Sequence, residues 1–185
     1  QPFQPTEGYR VKFRQSLPIV MDSSSLDNNI DVTTYHPLSE DIIGSVKFYA
    51  RSVHAMDKDN VRLTECLFLP QKRLRGFNVY KVGPKDGEDY IGGNYTTALG
   101  FEAQLPNLLP ESTKTDISLF IDTGNVWEVD YSSTIDDSSG IRSAVGFAAN
   151  TWTPVGPLSF TLAQDLSKEI NDETESFSFR IGTSF

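Results

Sequence analysis

Apolar and polar residues alternate along most of this chain, most clearly at its C-terminal end. A period of two places successive side chains on opposite faces of a β-strand. The last segment has an apolar, aromatic face and a face of small or polar residues. The first face holds Phe177, Phe179, Ile181, Thr183 and Phe185, and the second holds Ser178, Arg180, Gly182 and Ser184. This alternation predicts a β-strand that is half apolar.

The two preceding segments repeat the pattern. Leu158, Phe160 and Leu162 alternate with small or polar residues, and so do Val145 and Phe147. The polar face is rich in Gly, Ala and Ser rather than in Lys and Glu, which favours the lumen of a membrane β-barrel. The alternation alone also fits a soluble β-sandwich.

Turn signals divide the chain into eight predicted strands and leave one long connection. Short turns are predicted at Pro37 to Asp41 and at Pro154 to Pro157. The connection from Met56 to Gly92 contains an apolar run, Cys66 to Pro70, so we expect it to be ordered. Eight strands can close a small barrel or form part of a larger one. The predicted strands cover about residues 8–20, 28–38, 41–55, 93–106, 114–128, 140–153, 156–166 and 174–185.

Composition removes several classes of protein. Hydrophobic residues make up 38% of the 185 residues, and no run approaches the roughly 18 apolar residues of a spanning helix. The net charge of −9 argues against a nucleic-acid partner, because such surfaces are basic. The chain starts at Gln1 without a signal peptide, so we expect a processed product or a fragment. Cys66 is the single cysteine, and we expect a half-buried thiol without a redox role.

A short motif, Leu74-Arg75-Gly76-Phe77, lies inside the long connection. It resembles the [V/L]-R-G-F motif of the Omp85 superfamily, although four residues alone also fit a surface turn. A series of further motifs resembles the C-terminal half of that superfamily's bacterial assembly factors, in order and in spacing. These are Val82-Gly83-Pro84, Gly92-Gly93-Asn94, Phe120 to Trp127, Trp152 to Leu158 and Phe177 to Phe185.

The resemblance implies a fold and a function for the whole chain. The fold is all-β, with residues 1–185 forming the C-terminal eight antiparallel strands of a sixteen-stranded transmembrane β-barrel and without periplasmic repeats. Segment 56–92 is then a loop inside the lumen. The implied function is the insertion of nascent β-barrel proteins into the outer membrane of a Gram-negative bacterium, without enzymatic chemistry, cofactor or metal. Its implied partners are those nascent proteins, the lipid bilayer, and accessory lipoproteins that bind through periplasmic repeats.

In the family the motif arginine meets acidic residues of the barrel wall. The alternation here places Glu102 and Asp122 on the small or polar face of their strands, so both are predicted to point inward. A guanidinium fork suits two carboxylates. Arg75, Gly76, Phe77, Glu102 and Asp122 are therefore predicted to form a lumen latch that fixes the loop. The alternative is that the two carboxylates are solvated lumen groups.

Glycines and prolines suggest how this loop begins and ends. Gly92, Gly93 and Asn94 are predicted to form the bend from the loop into the next strand. Before the motif the family commonly carries a glycine pair, whereas this chain has Pro70 and Gln71. Those residues disfavour the positive φ angles that glycines permit, so we expect a different path at the base of the loop.

The terminal aromatic alternation resembles the β-signal of outer-membrane proteins. In the family this strand pairs weakly with the first strand and forms a seam at which client strands enter. Phe177, Phe179, Ile181, Gly182 and Phe185 are the residues predicted for this role. The same residues also fit an ordinary strand of the aromatic girdle.

Several other functions are compatible with the sequence, and their support differs. An Omp85-type secretion or translocation pore, of the two-partner or TamA-like type, shares the motifs, and a passive porin fits less well because it needs no Arg-Gly-Phe loop. Nucleophilic catalysis has weak support, since His36 and His54 lie in strand-like segments and no Gly-x-Ser-x-Gly sequence occurs. The sequence offers no clustered metal ligands, and a glycosidase carboxylate pair lacks an evident cleft.

Overall fold

The computed structural model describes residues 6–18, 25–56, 60–130, 133 and 140–181, and their regular structure is β-strand with short 3-10 helices. No helix in these ranges is long and apolar enough to cross a membrane. The strands are β1 (Gly8–Ser16), β2 (Ser25–Ser39), β3 (Ile42–Ala55), β4 (Lys85–Asp86), β5 (Asp89–Tyr90), β6 (Tyr95–Leu105), β7 (Thr115–Trp127), β8 (Arg142–Thr153), β9 (Gly156–Ser167) and β10 (Phe177–Ile181). The 3-10 helices are Leu63–Glu65, Gln71–Arg73, Val79–Lys81 and Glu111–Thr113.

Eight of these strands form one antiparallel sheet in the order β1-β2-β3-β6-β7-β8-β9-β10. Neighbours in the sheet follow one another in the chain, so the sheet is a meander interrupted by the β3–β6 connection. The predicted all-β fold and its eight strands are confirmed. The two remaining strands, β4 and β5, form a hairpin inside that connection that the alternation did not predict.

Several strand boundaries differ from the prediction. β1 ends at Ser16 rather than at residue 20, and β2 begins at Ser25 rather than at residue 28. Pro37 lies within β2, where the register shifts between Pro37 and Ser39, and the turn occupies Glu40 and Asp41 instead. A proline is tolerated in a strand beside such an irregularity. At the other end of the chain, β10 begins at Phe177 rather than at residue 174. Residues 182–185 lie outside the described part, and with them the predicted seam residues Gly182 and Phe185.

The sheet has two faces of opposite character. We call the face that contacts segment 60–93 the inner face and the opposite one the outer face. Most inner-face residues of β6 to β9 are small or polar and buried, for example Thr96, Ser118, Ala144 and Thr161, and Phe120 is a bulky exception. The outer face carries exposed apolar side chains on the same strands: Phe101, Leu119, Ile121, Val145, Phe147, Phe160 and Leu162.

The β3–β6 connection, which we call the lumen loop (residues 56–92), packs on the inner face through residues 60–92. Its apolar side chains form the core together with inner-face residues of the sheet. That cluster joins Leu69, Leu74, Phe77, Val79 and Val82 of the loop to Tyr49, Ala98, Val126 and Ala144 of the strands. A second cluster places Val61 and Leu67 against Val53 at the end of β3. The core of this chain therefore lies between loop and sheet.

Candidate functional site: the lumen loop docked on the inner face

The turn that precedes Arg75 positions its side chain next to β7. The 3-10 helix Gln71–Arg73 starts after Pro70, whose carbonyl accepts a hydrogen bond from the amide of Arg73. Leu74 then enters the core with no exposed surface, which turns the next side chain toward the sheet. Pro70 and Gln71 thus begin this turn, while the expected difference in path from the glycine-containing family pattern stays a prediction.

Asp122 on β7 is the principal partner of Arg75. Its Oδ2 accepts from the Arg75 side-chain Nε at 2.7 Å and from the Arg75 backbone amide at 3.0 Å. Its Oδ1 accepts from Nη2 at 3.0 Å. The carboxylate therefore binds the guanidinium in a two-pronged manner and holds the backbone of the loop as well. The side chain of Asp122 is only 2% exposed.

Glu102 on β6 completes a small charged cluster. Its Oε2 accepts from Nη2 of Arg75 at 3.0 Å and from Nζ of Lys47 at 3.3 Å. Two positive and two negative groups are thus brought together where the side chains of Arg75 and Glu102 are 15% and 7% exposed. Because water is largely excluded, removing one member would leave an uncompensated charge.

Phe120 adds an aromatic surface that the sequence analysis did not identify. The guanidinium carbon of Arg75 lies 3.7 Å from the centre of its ring, within the range of a cation–π contact. Phe120 shares the inner face of β7 with Asp122, and it is buried. The sequence did contain a signal for this contact. Phe120 is a bulky aromatic residue at an inward position, two residues before the predicted acidic partner Asp122.

Gly76 lets the loop approach the sheet closely. Its φ of +92° is one that side-chain-bearing residues rarely adopt. A Cβ at this position would lie 2.9 Å from Cβ of Ala163 and 3.0 Å from Cβ of Ala144. The small residues on the inner face of β8 and β9 are therefore the counterpart of this glycine.

Phe77 ends the motif in the core. Its side chain is fully buried, and its carbonyl accepts from Nε2 of Gln71 at 2.9 Å. Its backbone forms an isolated antiparallel bridge with Thr174. The structure therefore brings Arg75, Gly76 and Phe77 together with Glu102 and Asp122, and their role as a latch remains a proposal.

Gly92, Gly93 and Asn94 lie where the lumen loop returns to the sheet. Gly93 exchanges two backbone hydrogen bonds with Leu67, at 2.7 and 3.0 Å, and Asn94 donates to the carbonyl of Glu128. A Cβ on Gly92 would lie 2.6 Å from the carbonyl oxygen of Leu67, and one on Gly93 would lie 2.4 Å from that of Trp127. This bend tolerates no side chain at either glycine.

Three further arginines bind carboxylates on the same face, and none was predicted. Arg51 of β3 pairs with Asp27 of β2. Arg73 of the loop pairs with Asp31 of β2 and lies 5.4 Å from the ring centre of Tyr49. Arg142, the first residue of β8, pairs with Asp172 in the β9–β10 connection. Alternation shows only which face of a strand a residue lies on. It could therefore not predict which arginine contacts which distant aspartate.

The described residues of the predicted seam lie on the outer face. Phe177, Phe179 and Ile181 are about half exposed, and Phe179 lies 5.0 Å from the ring centre of Phe160 on β9. Their alternation with Ser178 and Arg180 follows the predicted parity. Their part in a seam stays a prediction.

The reactive side chains of the chain have no catalytic arrangement around them in the described ranges. Burial raises the pKa of the Cys66 thiol to about 11, and its Sγ lies 3.7 Å from the carbonyl of Arg62. His54 contacts the hydroxyl of Tyr95 at 3.5 Å. Within the part of the chain that the structure describes, no group of three or more His, Cys, Asp or Glu residues could hold a metal ion. The chemistry that the docked loop offers is electrostatic attachment.

Comparison with known proteins decides the family. The family model described as the Omp85 superfamily domain matches residues 1–185. The chain belongs to the Omp85 superfamily.

Two curated proteins that are similar in sequence to this Omp85 chain share the description "Outer membrane protein assembly factor BamA". The protein from Neisseria meningitidis serogroup B is 28% identical over 60% of this chain, and the one from Neorickettsia risticii is 32% identical over 60% of it. The aligned regions cover 17% and 16% of those relatives. The chain therefore corresponds to a minor part of the curated relatives it matches.

A solved structure has the same fold as this Omp85 chain. The crystal structure of BamA from Haemophilus ducreyi lacking POTRA domains 1-3 superposes with a TM-score of 0.81 and 23% identity. The superposition covers 97% of this chain and 39% of that one. Almost the whole chain therefore adopts the fold of a part of that protein.

Proposed function

We propose that this chain is part of an outer-membrane β-barrel of a Gram-negative bacterium, and that the protein carrying it folds and inserts other β-barrel proteins there. The role needs neither bond chemistry nor a cofactor. Its partners are nascent β-barrel proteins, the lipid bilayer and accessory assembly lipoproteins. The family match over residues 1–185 and the relatives' description as outer membrane protein assembly factors support the proposal.

The outer face supports a membrane location. A sheet whose apolar side chains are exposed while its polar side chains are buried is inverted relative to a soluble sheet that faces water. The exposed apolar residues of β6 to β9 provide such a surface. We propose that the eight strands are the C-terminal half of a sixteen-stranded barrel, as the resemblance implies.

The connections support an orientation. At one end of the sheet Ser39 and Ile42 are joined by a short turn, and so are Thr153 and Gly156, while the third connection at this end is the longer segment 106–114. At the other end lie the lumen loop and the connections after β1, β7 and β9. Short turns face the periplasm in outer-membrane barrels and long loops face outward. The lumen loop thus enters the barrel from the cell exterior.

The contact between Arg75 and Asp122 is the observation that carries the proposal furthest. It ties the tip of the lumen loop to the barrel wall through the arginine's side chain and backbone together. We propose that this latch holds the barrel shape in which the edge strand can exchange partners. An unpaired edge in lipid is costly, so a seam that exchanges strands lowers the barrier to inserting a client strand.

Depletion with complementation tests this function. The full-length protein is depleted in its own host and replaced by wild type, Arg75→Ala or Lys81→Ala. Lys81 is a matched control, because it is a cation of the same loop whose ion pair with Glu173 is exposed. Folded porins are scored by the difference in electrophoretic mobility between heated and unheated samples.

We expect depletion to lower the levels of several unrelated porins, Lys81→Ala to restore them and Arg75→Ala to restore them poorly. If depletion leaves porins unchanged and removes a single secreted protein from the medium, the chain belongs to a secretion pore and the proposal is wrong.

A further inference from the structure

A groove interrupts the outer face near the end of the sheet from which the lumen loop starts. Its floor consists of Ala50 and Ser52 of β3 and of Thr97 of β6. These residues lie on the outer face, because the residues that alternate with them, Tyr49 and Ala98, pack in the core on the inner face. The short side chains of the floor leave a groove of about 250 Å³.

Large apolar and aromatic side chains form the two sides of the groove. Phe13 of β1 and its ladder partner Ile30 of β2 line one side. Tyr95 and Trp127 line the other, with ring centres 5.5 Å apart and ring planes inclined by 22°. The imidazole ring of His54 packs against Tyr95 at 5.2 Å and 70°. Three packed rings hold this side in place, so the groove is largely preformed.

The floor of the groove presents hydroxyl groups in a face that is mainly apolar. Within the described ranges, the hydroxyls of Ser52 and Thr97 form no hydrogen bond with another protein group. The hydroxyl of Thr123 on the same face, in contrast, donates to the carbonyl of Leu99 at 3.0 Å. A hydroxyl that faces hydrocarbon without a partner is unfavourable. The groove therefore suits a ligand that combines an apolar chain with a hydrogen-bond acceptor.

The depth of the groove in the bilayer follows from the proposed orientation. The end of β3 that leads into the lumen loop faces the cell exterior, and Tyr and Trp side chains mark the boundary between hydrocarbon and headgroups. Tyr95 and Trp127 therefore place one end of the groove at the outward boundary. The next ladder pair below the floor, Phe48 and Leu99, continues toward the hydrocarbon. The carbonyl groups that link acyl chains to lipid headgroups lie at this boundary.

We propose that the groove binds one acyl chain of a bilayer lipid in the leaflet that faces the cell exterior. In this site Ser52 and Thr97 donate hydrogen bonds to the carbonyl that links the chain to its headgroup. The groove is smaller than the roughly 300–1,000 Å³ of pockets for drug-sized molecules, so it suits a single narrow chain rather than a folded protein segment. It is also continuous with the lipid-facing surface of the sheet. The site rests on the membrane location proposed above and adds a specific lipid contact to it.

Photochemical labelling of the full-length protein tests where the chain lies. The protein is placed in nanodiscs of ester-linked phosphatidylcholine, of which a small fraction carries a diazirine in its acyl chain, and labelled residues are mapped by mass spectrometry. Wild type is compared with Ala50→Trp, which fills the floor. Leu119→Trp is the matched control, because Leu119 is 53% exposed on the outer face outside the groove. We expect Ala50→Trp to remove most of the label from Ile30 and Tyr95, and Leu119→Trp to leave that label unchanged.

Competition between two unlabelled lipids tests the hydrogen bonds. Ester-linked phosphatidylcholine is compared with its ether-linked analogue, which keeps the chains and the headgroup but lacks the carbonyls. In wild type we expect the ester lipid to compete about two- to tenfold better for the groove, the range that one or two hydrogen bonds supply. In Ser52→Ala/Thr97→Val, which keeps the shape of the floor, we expect the two lipids to compete equally. These substitutions change few atoms, so this experiment is decisive even if Ala50→Trp folds poorly.

The outcomes separate the site from the proposed function. Equal competition by the two lipids in wild type, or groove labelling that a folded Ala50→Trp protein retains, overturns the site. A groove that stays unlabelled while the rest of the outer face is labelled is covered by a protein segment, which also overturns the site. Absence of label from the whole outer face of the folded protein overturns the membrane location and with it the proposed function.

Discussion

The two faces of β7 differ both in the residues that they carry and in how far those residues are exposed. On the inner face Ser118, Phe120 and Asp122 are each 2% exposed, whereas Leu119 and Ile121 on the outer face are 53% and 45% exposed. In water this arrangement would be unfavourable, because the apolar side chains would stay exposed to solvent while a charged side chain is buried. It becomes favourable when the outer face meets lipid and the inner face meets the lumen loop. Each face is thus specified by a different partner.

The largest effect on stability should come from the inner face. Asp122→Ala removes three hydrogen bonds to Arg75, whereas Glu102→Ala removes one and also frees Lys47. We expect Asp122→Ala to lower the free energy of unfolding by about 3–5 kcal/mol, less where water enters the lumen, and Glu102→Ala to cost clearly less. Urea titration of the full-length protein in lipid vesicles measures both. Equal costs for the two substitutions would refute the asymmetry.

A charge on the outer face should have the next largest effect. We expect Ile121→Arg to destabilise the folded protein in vesicles by about 2–4 kcal/mol, because the guanidinium would face hydrocarbon. Val155→Arg is the matched control, since Val155 is exposed in the turn between β8 and β9. If the two substitutions have the same small effect, the outer face does not contact lipid.

A smaller effect is expected where the loop touches the wall. Gly76→Ala forces an unfavourable φ of +92° and a contact of 2.9 Å with Ala163, while Gly87→Ala at φ +63° meets no atom within 4 Å. The backbone strain alone is about 1–2 kcal/mol at each site. We therefore expect Gly76→Ala to lower the unfolding midpoint in urea more than Gly87→Ala does. The reverse order would show that the loop tip is not tightly packed.

The smallest effect concerns Cys66, at the edge of the loop's packing. Because burial raises its pKa to about 11, the thiol is protonated at neutral pH and the reactive thiolate is scarce. We expect alkylation by iodoacetamide to be slow at pH 8 and to accelerate as the pH rises toward 11. A reference peptide with an ordinary cysteine reacts faster at pH 8. Equal rates at pH 8 would mean that the loop leaves Cys66 open to solvent.

Alternation was sufficient to predict the sheet but not the contacts that cross it. A period of two reveals which face Glu102 and Asp122 share, because the direction of a side chain in a strand depends only on parity. It cannot reveal that Arg142 meets Asp172, because that contact depends on how two connections pack in space. It also assigned Thr174 and Glu175 to β10, since local pattern favours a strand and carries no information on the contacts of these residues with the lumen loop.

The most direct test of the docked loop is a charge exchange between Arg75 and Asp122 in the full-length protein. Arg75→Glu alone would place a third carboxylate beside Asp122 and Glu102, so we expect porin assembly to fail. Adding Asp122→Arg restores one cation among these side chains, and we predict that the double variant recovers a substantial part of the lost porin. Adding Glu102→Arg instead should recover less, because Asp122 would still face the new carboxylate. If Arg75→Glu leaves porin levels and growth unchanged, or the double variant is as defective as the sum of its parts, the lumen loop is not held by this contact.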